Sequence, residues 1–369
     1  MTTDHLTSPT SHRAPYMAWA KQRRAAKFDL AASNMLACSI DDLEGARDAL
    51  SLEGANENGY PPLLQAIASH YGVTPSRVMT ANGCSGANLL AMGACLSPGD
   101  EVLMERPYYD PFAGTAQLVG ATVRFFDRRF DQGYQLDLDA LRGAMTARTR
   151  LVVLTNPHNP GGVLLDDAAI VAAAAVAAER QAHLLVDEAY LDIVNIMGGG
   201  PRHTAAALLA PNAISTSSLT KSHGLNALRC GWALASEELV ERMRRTRDVV
   251  DGIGAVPVER LAVLAFHQMS KLSDRARVIA MRNLDLFRLW MAGMKRVELP
   301  APARATIVFP RVKDLDDTRA FAEALQRQHD VAVVPGHFFG EPRNIRISLA
   351  GRPDVVKEGL DRLADFLRG

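Results

Sequence analysis

Short apolar runs alternate with helical patterns through the middle of this chain, and this alternation limits its fold more than any other feature. The apolar runs predict buried strands at 101–105, 121–125, 151–155, 183–187, 213–216 and 230–235. The stretches between them predict helices at 87–96, 110–118, 136–144 and 168–180. Such alternation is typical of an α/β domain with a largely parallel sheet, in which ligands bind beyond the carboxyl ends of the strands.

The rest of the chain predicts smaller elements around this domain. Residues 1 to about 15 predict a disordered leader, 16–27 a helical arm and 28–34 an extended segment. Further helices are predicted at 41–50, 62–71, 237–249 and 257–294, and the last is long enough to link two domains. The C-terminal region predicts a small α+β domain, with strands at 306–309, 331–334 and 344–348 and helices at 316–328 and 354–367.

The composition is that of an ordinary globular protein, with 48% hydrophobic and 22% charged residues. The 41 Lys and Arg balance the 41 Asp and Glu, which argues against a nucleic-acid partner or a membrane-surface partner. The four cysteines are far apart and form no CxxC pair, which indicates reduced thiols in a cytoplasmic protein and no zinc site. The sequence predicts neither a signal peptide nor a transmembrane helix.

One lysine lies among hydroxyl side chains. The stretch 218–224 reads Ser-Leu-Thr-Lys-Ser-His-Gly, and Arg229 follows it. A lysine amine attacks aldehydes only when it is deprotonated, and burial or a cationic neighbour lowers its pKa enough for Schiff-base chemistry. The hydroxyls and the arginine suit a dianionic phosphate. An exposed loop lysine is the alternative, and the choice depends on motifs elsewhere in the chain.

Three such motifs lie at strand or helix ends. At 187–190, Asp-Glu-Ala-Tyr places a carboxylate after a strand, where it could keep a pyridine nitrogen protonated or simply cap the next helix. At 155–162, the two Asn-Pro steps of Thr-Asn-Pro-His-Asn-Pro-Gly-Gly predict either an extended backbone that holds an asparagine amide or a plain turn. At 82–88, Asn-Gly-Cys-Ser-Gly-Ala-Asn predicts either an anion-binding helix N-terminus or an ordinary helix start.

In this order, the motifs resemble those of the class I/II aminotransferases, fold-type I enzymes that use pyridoxal 5′-phosphate (PLP). The resemblance runs from about residue 28 to the C-terminus. It implies an α/β fold with a mostly parallel sheet of the seven-stranded type between helices, and a small α+β domain formed by both chain ends. The resemblance implies a leader and N-terminal arm at 1–27 and a large PLP-binding domain at 56–270. The small domain is expected to consist of 28–55 and 271–369.

The resemblance also implies roles for individual residues. Lys221 is expected to form the Schiff base and move the Cα proton, with Asp187 and Tyr190 as the other catalytic residues. Asp187 is expected to be the partner of the cofactor's ring nitrogen, and Asn159 and Tyr190 the donors to its 3′-oxygen. Tyr109 is expected to stack on the ring. The expected phosphate ligands are Ser218, Arg229, Cys84 and Ser85. The substrate is expected to meet an arginine that binds its α-carboxylate, Arg346, and also Asn159, Ser33 and Asn34. The implied substrates are an amino acid and a 2-oxo acid, and the implied assembly is a homodimer.

The chain departs from the family pattern at several positions. The partner subunit usually gives a phosphate-binding tyrosine near Gly54-Ala55, and none is there, so Asn56 or Asn58 is a candidate replacement. Gly161 takes the place of a threonine, and Asn226-Ala227 take the place of Ala-Gly. These departures leave the phosphate contacts and the reaction open.

Four functions are compared on these grounds. An aminotransferase that acts through Lys221 is the leading prediction. A PLP-dependent lyase, cyclase or oxidase of the same fold is the second, because these reactions also begin with loss of the Cα proton. A PLP-sensing regulator is disfavoured, because it would carry a DNA-binding domain ahead of the fold, where the sequence has only about 30 residues. A dehydrogenase is disfavoured further, because no G-x-G-x-x-G follows the first predicted strand. His223, close to Lys221, is predicted to be structural rather than an acid or base.

Overall fold

The computed structural model describes residues 13–368, so most of the predicted leader lies outside the described residues. Its helices are α1 (Pro15–Gln22), α2 (Ala46–Ala49), α3 (Pro61–Tyr71), α4 (Gly83–Cys95), α5 (Pro111–Leu118), α6 (Leu138–Ala144), α7 (Asp167–Ala178), α8 (Leu191–Met197), α9 (Ala206–Leu209), α10 (Leu219–His223), α11 (Glu237–Val250), α12 (Val256–His267), α13 (Met269–Ala292), α14 (Arg319–His329) and α15 (Pro353–Arg368). Its strands are β1 (Phe28–Asp29), β2 (Val78–Asn82), β3 (Glu101–Arg106), β4 (Thr122–Asp127), β5 (Thr149–Thr155), β6 (His183–Asp187), β7 (Ala213–Ser218), β8 (Cys230–Leu234), β9 (Val297–Glu298), β10 (Ile307–Val308), β11 (Arg311–Val312), β12 (Val331–Ala332), β13 (Val334–Pro335) and β14 (Ile345–Ser348). Within residues 13–368, no helix is long and apolar enough to cross a membrane.

Seven strands form the central sheet, in the order β2-β8-β7-β6-β5-β3-β4. Neighbours from β7 to β4 are parallel, and β8 runs antiparallel to both β2 and β7. This topology confirms the predicted α/β fold with a mostly parallel sheet. In β3, Leu103 and Met104 are buried in different hydrophobic clusters because successive side chains of a strand point to opposite faces. Burial on both faces explains why such strands are continuous apolar runs in the sequence.

The sequence does not predict β2, although this strand pairs with β8 along all five of its residues. Its residues Val-Met-Thr-Ala-Asn give neither a long apolar run nor a regular alternation. They become a strand because β8 supplies hydrogen-bond partners from a segment about 150 residues away in the chain. Tertiary contacts, rather than local propensity, decide this element.

Two predicted helices differ from those in the structure. The range 41–50 contains only a 3₁₀ turn (Ile40–Asp42) and α2, which are separated by Gly45 in the left-handed conformation at φ 75°. The range 257–294 is divided at Gln268 into α12 and α13. The Gln268 side chain donates to the Glu44 carbonyl at 2.9 Å and accepts from the Glu44 amide at 3.0 Å, so it ties this junction to the N-terminal segment.

The two ends of the chain meet in the small domain. Strand β1 pairs in parallel with β12, with Phe28 opposite Val331. Phe28 and Leu30 are buried in one hydrophobic cluster with side chains from α13, β12, β14 and α15. The structure therefore has the small domain formed by both chain ends, and the exact domain boundaries given above stay predictions. Helix α1, which precedes β1, lies against a cavity at the edge of the central sheet.

Candidate active site

Three neighbouring strands end at the same edge of the central sheet. The parallel strands β5, β6 and β7 finish at Thr155, Asp187 and Ser218. A cavity of about 520 Å³ lies beyond these ends, which is where ligands bind in open α/β sheets. Most of the predicted site residues line it: Ser33, Asn34, Cys84, Ser85, Tyr109, Asn159, Asp187, Tyr190, Ser218, Lys221 and Arg229.

Lys221 points its amine toward the segment that follows β1. Its Nζ donates to Asn34 Oδ1 at 2.6 Å and to Ser33 Oγ at 3.1 Å. Burial lowers the pKa of Lys221 to about 8, and the nearby Arg346 guanidinium acts in the same direction, whereas Tyr16 and Asp187 oppose it. A large share of this lysine is therefore a neutral nucleophile in mildly alkaline water, which an exposed lysine is not.

Asp187 is the half-buried carboxylate that lines the cavity. Its Oδ1 accepts from the Ala189 amide at 3.0 Å, and its Oδ2 accepts from Asn88 Nδ2 at 2.8 Å. Thr216 Oγ1 in turn donates to Asn88 Oδ1 at 2.6 Å, which fixes the orientation of that amide. Burial raises the pKa of Asp187, and the hydrogen bonds from Asn88 and Ala189 act against this rise because they stabilise the anion.

Asn88 is a site residue that the sequence reasoning misses as an individual. It is the last residue of the glycine-containing stretch 82–88, one helical turn after Cys84 on α4. That position faces the sheet, and Asn88 is only 4% exposed. A polar amide on the buried face of a helix is the signal that could have found it, because such groups need a partner.

An anion-binding cradle lies at the start of α4. The helix begins at Gly83, so the backbone amides of Cys84 and Ser85 lie in its first turn, where no helical carbonyl can accept from them. Arg229, at φ 53°, lies beside this turn and donates to the Asn82 carbonyl at 3.4 Å. A Cβ on Gly83 would meet the Arg229 guanidinium, and Gly83 has a φ of 68°, which residues with a side chain rarely adopt, so glycine suits this close approach.

Ser218 and Cys84 take different positions around the cradle. Ser218 is the N-cap of α10, which carries Lys221, and its hydroxyl accepts from the Thr220 amide. The Cys84 side chain lies on the other side, toward Asn88 and Asp187, with 3.9 Å between Asn88 Nδ2 and Cys84 Sγ. Cys84 can therefore offer an anion its backbone amide, while its thiol packs beside the carboxylate.

Arg346 lies behind the cavity and is 1% exposed. Its Nη1 donates to Asn159 Oδ1 at 3.1 Å, and its guanidinium lies 5.0 Å from the ring centre of Phe339. Because a guanidinium can only donate, this bond fixes the Asn159 carbonyl toward Arg346 and leaves the amide nitrogen as the donor for a ligand. The pair combines a buried cation with an oriented amide, which suits a carboxylate.

Two tyrosines complete the walls. The Tyr190 hydroxyl is buried and has no hydrogen-bond partner among residues 13–368, and the Lys221 amine lies 5.7 Å from the centre of its ring. The Tyr109 hydroxyl contacts Met17 Sδ at 3.3 Å. A buried hydroxyl without a partner is costly in a protein interior, and a bound polar ligand is one way to satisfy it.

Helix α1 forms a wall of the cavity that the sequence does not predict. Tyr16, Trp19, Ala20 and Arg23 all line it. Their spacing of three or four residues places them on one face of the helix, which is the signal that the sequence offers. The arm is therefore part of the site rather than a separate appendage.

Two residues outside the cavity wall have structural roles. His223 is 2% exposed, does not line the cavity, and has its Nε2 3.5 Å from Asp192 Oδ2. Asn56, a candidate replacement for the missing tyrosine, is buried and donates to the Gly254 carbonyl and to Glu259 Oε2, both at 2.7 Å. Asn56 thus uses its amide nitrogen within its own subunit, whereas Asn58 is exposed.

The residues of the cavity fit PLP. The Asp187 carboxylate suits a protonated ring nitrogen, and the unpartnered Tyr190 hydroxyl suits a phenolic oxygen. The first turn of α4, with Ser218 and Arg229, suits a phosphate. The amine of Lys221 suits an aldehyde.

The fold and the cavity define a PLP-dependent enzyme of fold type I. Residues 32–363 match the family described as aminotransferase class I and II, and the chain belongs to this family. This match confirms the resemblance seen in the sequence motifs and identifies PLP as the cofactor.

Three similar proteins carry different descriptions. Capreomycidine synthase from Streptomyces vinaceus is 31% identical over 371 residues, which cover 96% of this chain and 93% of that protein. The structure of a PLP-dependent aminotransferase from Streptococcus suis 89-1591 has a TM-score of 0.89 at 24% identity, covering 96% of this chain and 97% of that chain. The structure of the PLP-dependent cyclase OrfR has a TM-score of 0.85 at 26% identity, with coverage of 96% and 97%. A synthase, an aminotransferase and a cyclase therefore share this fold.

Proposed function

We propose that this protein is a PLP-dependent aminotransferase, which moves the amino group of an L-amino acid to a 2-oxo acid. One observation carries the proposal: the Lys221 amine, with its lowered pKa, shares a cavity with the Asp187 carboxylate and adjoins the buried Arg346–Asn159 pair. These groups supply a base, a partner for a ring nitrogen and a site for a carboxylate. They are what the removal of a Cα proton from an amino acid requires.

Each residue has a defined task in this proposal. Arg346 and the Asn159 amide bind the α-carboxylate and so orient the Cα–H bond toward Lys221. Lys221 removes the Cα proton, and Ser33 and Asn34 hold its amine within the cavity. When bound, PLP supplies an electron sink for the electrons of the broken Cα–H bond. Asp187, whose carboxylate accepts from Asn88 and Ala189, favours the protonated ring on which that sink depends.

A PLP-dependent lyase or cyclase is the second candidate, and the similar proteins favour it specifically. Capreomycidine synthase is 31% identical over nearly the whole chain, and OrfR is described as a cyclase. The same Cα deprotonation by Lys221 can precede loss of a side-chain substituent instead of transfer of the amino group. The two candidates differ in whether a 2-oxo acid is needed for turnover.

A screen of half-reactions tests these candidates. Purified holoenzyme is mixed with single L-amino acids, and the visible absorbance of the bound cofactor is followed. Under the proposal, one amino acid bleaches this band, its 2-oxo acid appears, and pyruvate or 2-oxoglutarate restores the band. Release of ammonia or of a cyclised product without any added 2-oxo acid would favour the lyase or cyclase. No spectral change with any amino acid of a broad panel would count against both.

The rate at which apoprotein attaches PLP should depend on pH with an inflection near 8. The pKa of Lys221 is lowered to about 8 from an ordinary 10.5, so its reactive neutral form rises about tenfold per pH unit below this value and levels off above it. Stopped-flow absorbance at fixed PLP, from about pH 6 to about pH 9.5, measures this profile. Nα-acetyl-lysine is the control, because its rate keeps rising across the range. A protein profile that follows the control would contradict a buried Lys221 amine.

We also propose that the chain acts as a cytoplasmic homodimer. Leu52 and Val249 are 93% and 88% exposed, and their segments adjoin, since Asn56 bonds to the Gly254 carbonyl. Exposed apolar side chains on adjoining segments are typical of an association surface. The four cysteines are unpaired, as expected in a reducing compartment. Sedimentation equilibrium of the purified protein tests the dimer, and a single species with the mass of one chain would contradict it.

A further inference from the structure

Tyr16, on the arm helix α1, touches the arginine proposed to bind the substrate. Arg346 Nη2 donates to the Tyr16 hydroxyl at 2.5 Å, across 330 residues of sequence. The other terminal nitrogen of Arg346, Nη1, donates to Asn159. The two terminal nitrogens of Arg346 thus contact two side chains that both line the cavity.

The surroundings hold Tyr16 firmly in this position. Its backbone amide donates to Asp110 Oδ2 at 2.7 Å. Its ring lies 5.5 Å from the ring of Phe339 and 5.9 Å from that of Tyr109, and Tyr16 as a whole is 7% exposed. Aromatic packing and a buried backbone hydrogen bond together fix where the hydroxyl points.

The bond from Arg346 decides what the Tyr16 hydroxyl can still do. A phenol has one proton to donate and lone pairs that accept, and Arg346 can only donate. The Tyr16 oxygen therefore accepts from Arg346, and its proton remains available. Tyr16 and Lys221 line the same cavity, and Tyr16 also contacts Arg346, so its hydroxyl adjoins the proposed carboxylate site. A carboxylate bound beside Arg346 is the acceptor that this proton would meet.

We propose that Tyr16 is a third carboxylate-binding residue of this site, whose hydroxyl donates to the substrate α-carboxylate beside Arg346 and Asn159. This inference rests on the proposed function, because it takes the substrate to be an amino acid. It makes α1 part of the substrate site, so that binding of the carboxylate also holds the arm in place. In the opposite arrangement, the Tyr16 hydroxyl blocks the carboxylate site and must move away before a carboxylate binds. Removing the hydroxyl would then strengthen binding of the carboxylate instead of weakening it.

The change Tyr16→Phe tests the inference, because it removes the hydroxyl and keeps the ring that packs in the aromatic cluster. The probes are N-(5′-phosphopyridoxyl)-L-alanine and N-(5′-phosphopyridoxyl)-ethylamine, which share the cofactor group and differ only in the carboxylate. Binding to the full-length apoprotein is measured by fluorescence. Tyr16→Phe should weaken binding of the alanine adduct about 10- to 100-fold, as expected for a lost hydrogen bond to a charged group, and change binding of the ethylamine adduct less than about twofold.

Tyr134→Phe is the matched control. Tyr134 lies in the same hydrophobic cluster and is fully buried, and its hydroxyl accepts from Asn344 at 3.3 Å without lining the cavity. This variant should bind both adducts as the unchanged protein does. Asp110→Asn weakens the anchor of the arm and should give a smaller loss that is again selective for the alanine adduct, so it serves as a second variant if Tyr16→Phe does not fold.

Each other outcome counts against the inference. Equal affinity of Tyr16→Phe for the alanine adduct, or an equal loss for both adducts, would show that the hydroxyl does not bind the carboxylate. Tighter binding of the alanine adduct would show that Tyr16 blocks the site. If the unchanged protein bound neither adduct, the proposed function would fail and this inference with it, which separates the two results.

Discussion

Replacing Lys221 with alanine should abolish the visible absorbance band of the bound cofactor and lower kcat by about 10⁴-fold, because the variant loses both the attachment point and the base. The Lys221 amine lies in the cavity lining, where it donates to Ser33 and Asn34. The band is measured on protein incubated with PLP and freed of excess cofactor. Mass spectrometry after borohydride reduction should find PLP attached to the peptide that contains Lys221 in the unchanged protein, and to no peptide of the variant.

Lys357→Ala is the control for this change. Lys357 is a surface residue that pairs with Asp361 at 2.7 Å, so its loss should change neither the band nor kcat. Added methylamine should restore part of the activity of Lys221→Ala, because a small primary amine can enter the vacated space and act as the base. A persistent cofactor band in Lys221→Ala would contradict the assignment of the Schiff-base lysine.

Changing Asp187 to asparagine should lower kcat by about 10²- to 10³-fold and leave KM within a few-fold of its original value, because a charge that acts on the cofactor is lost while the carboxylate site is kept. The side chain keeps its shape and can still meet the Ala189 amide. It can no longer stabilise a protonated ring nitrogen, so the absorbance of the bound cofactor should shift as well. Steady-state kinetics and the absorbance spectrum measure the two effects.

Glu188→Gln is the matched control, since it removes the neighbouring carboxyl group. Burial raises the pKa of Glu188 to about 8, so this group is mostly neutral at pH 7, and it accepts from the Ala206 amide at 2.7 Å away from the cavity lining. A neutral amide of the same shape should therefore change kcat little. An Asp187→Asn variant with nearly unchanged kcat would rule out Asp187 as the partner of the ring nitrogen.

The motifs after the strands are the part of the site that the sequence predicts well. Asp187 is the last residue of β6, and Asn159 and Lys221 follow β5 and β7. Parallel neighbouring strands place their carboxyl ends at one edge. Short apolar runs bounded by turn residues are enough to find these strands. The roles assigned to the individual residues stay predictions until the substitutions above are measured.

The supporting residues are harder to predict because they depend on contacts between distant segments. Asn88 reaches Asp187 across 99 residues and is itself oriented by Thr216 on β7. Gln268 interrupts a long helical pattern because it pairs with the backbone of Glu44, 224 residues earlier. No local pattern encodes such pairs, since each partner is an ordinary polar residue in its own segment.

By itself the sequence determined the α/β fold, the family and the PLP cofactor, because hydrophobic periodicity and short motifs are local and survive without knowledge of the packing. The tertiary structure alone decided how the arm takes part. Tyr16 meets Arg346 across 330 residues because β1 pairs with β12 and brings α1 back over the cavity. Which side chains share a site, and which of their donors remain free for a ligand, follows from this packing and from no stretch of sequence alone.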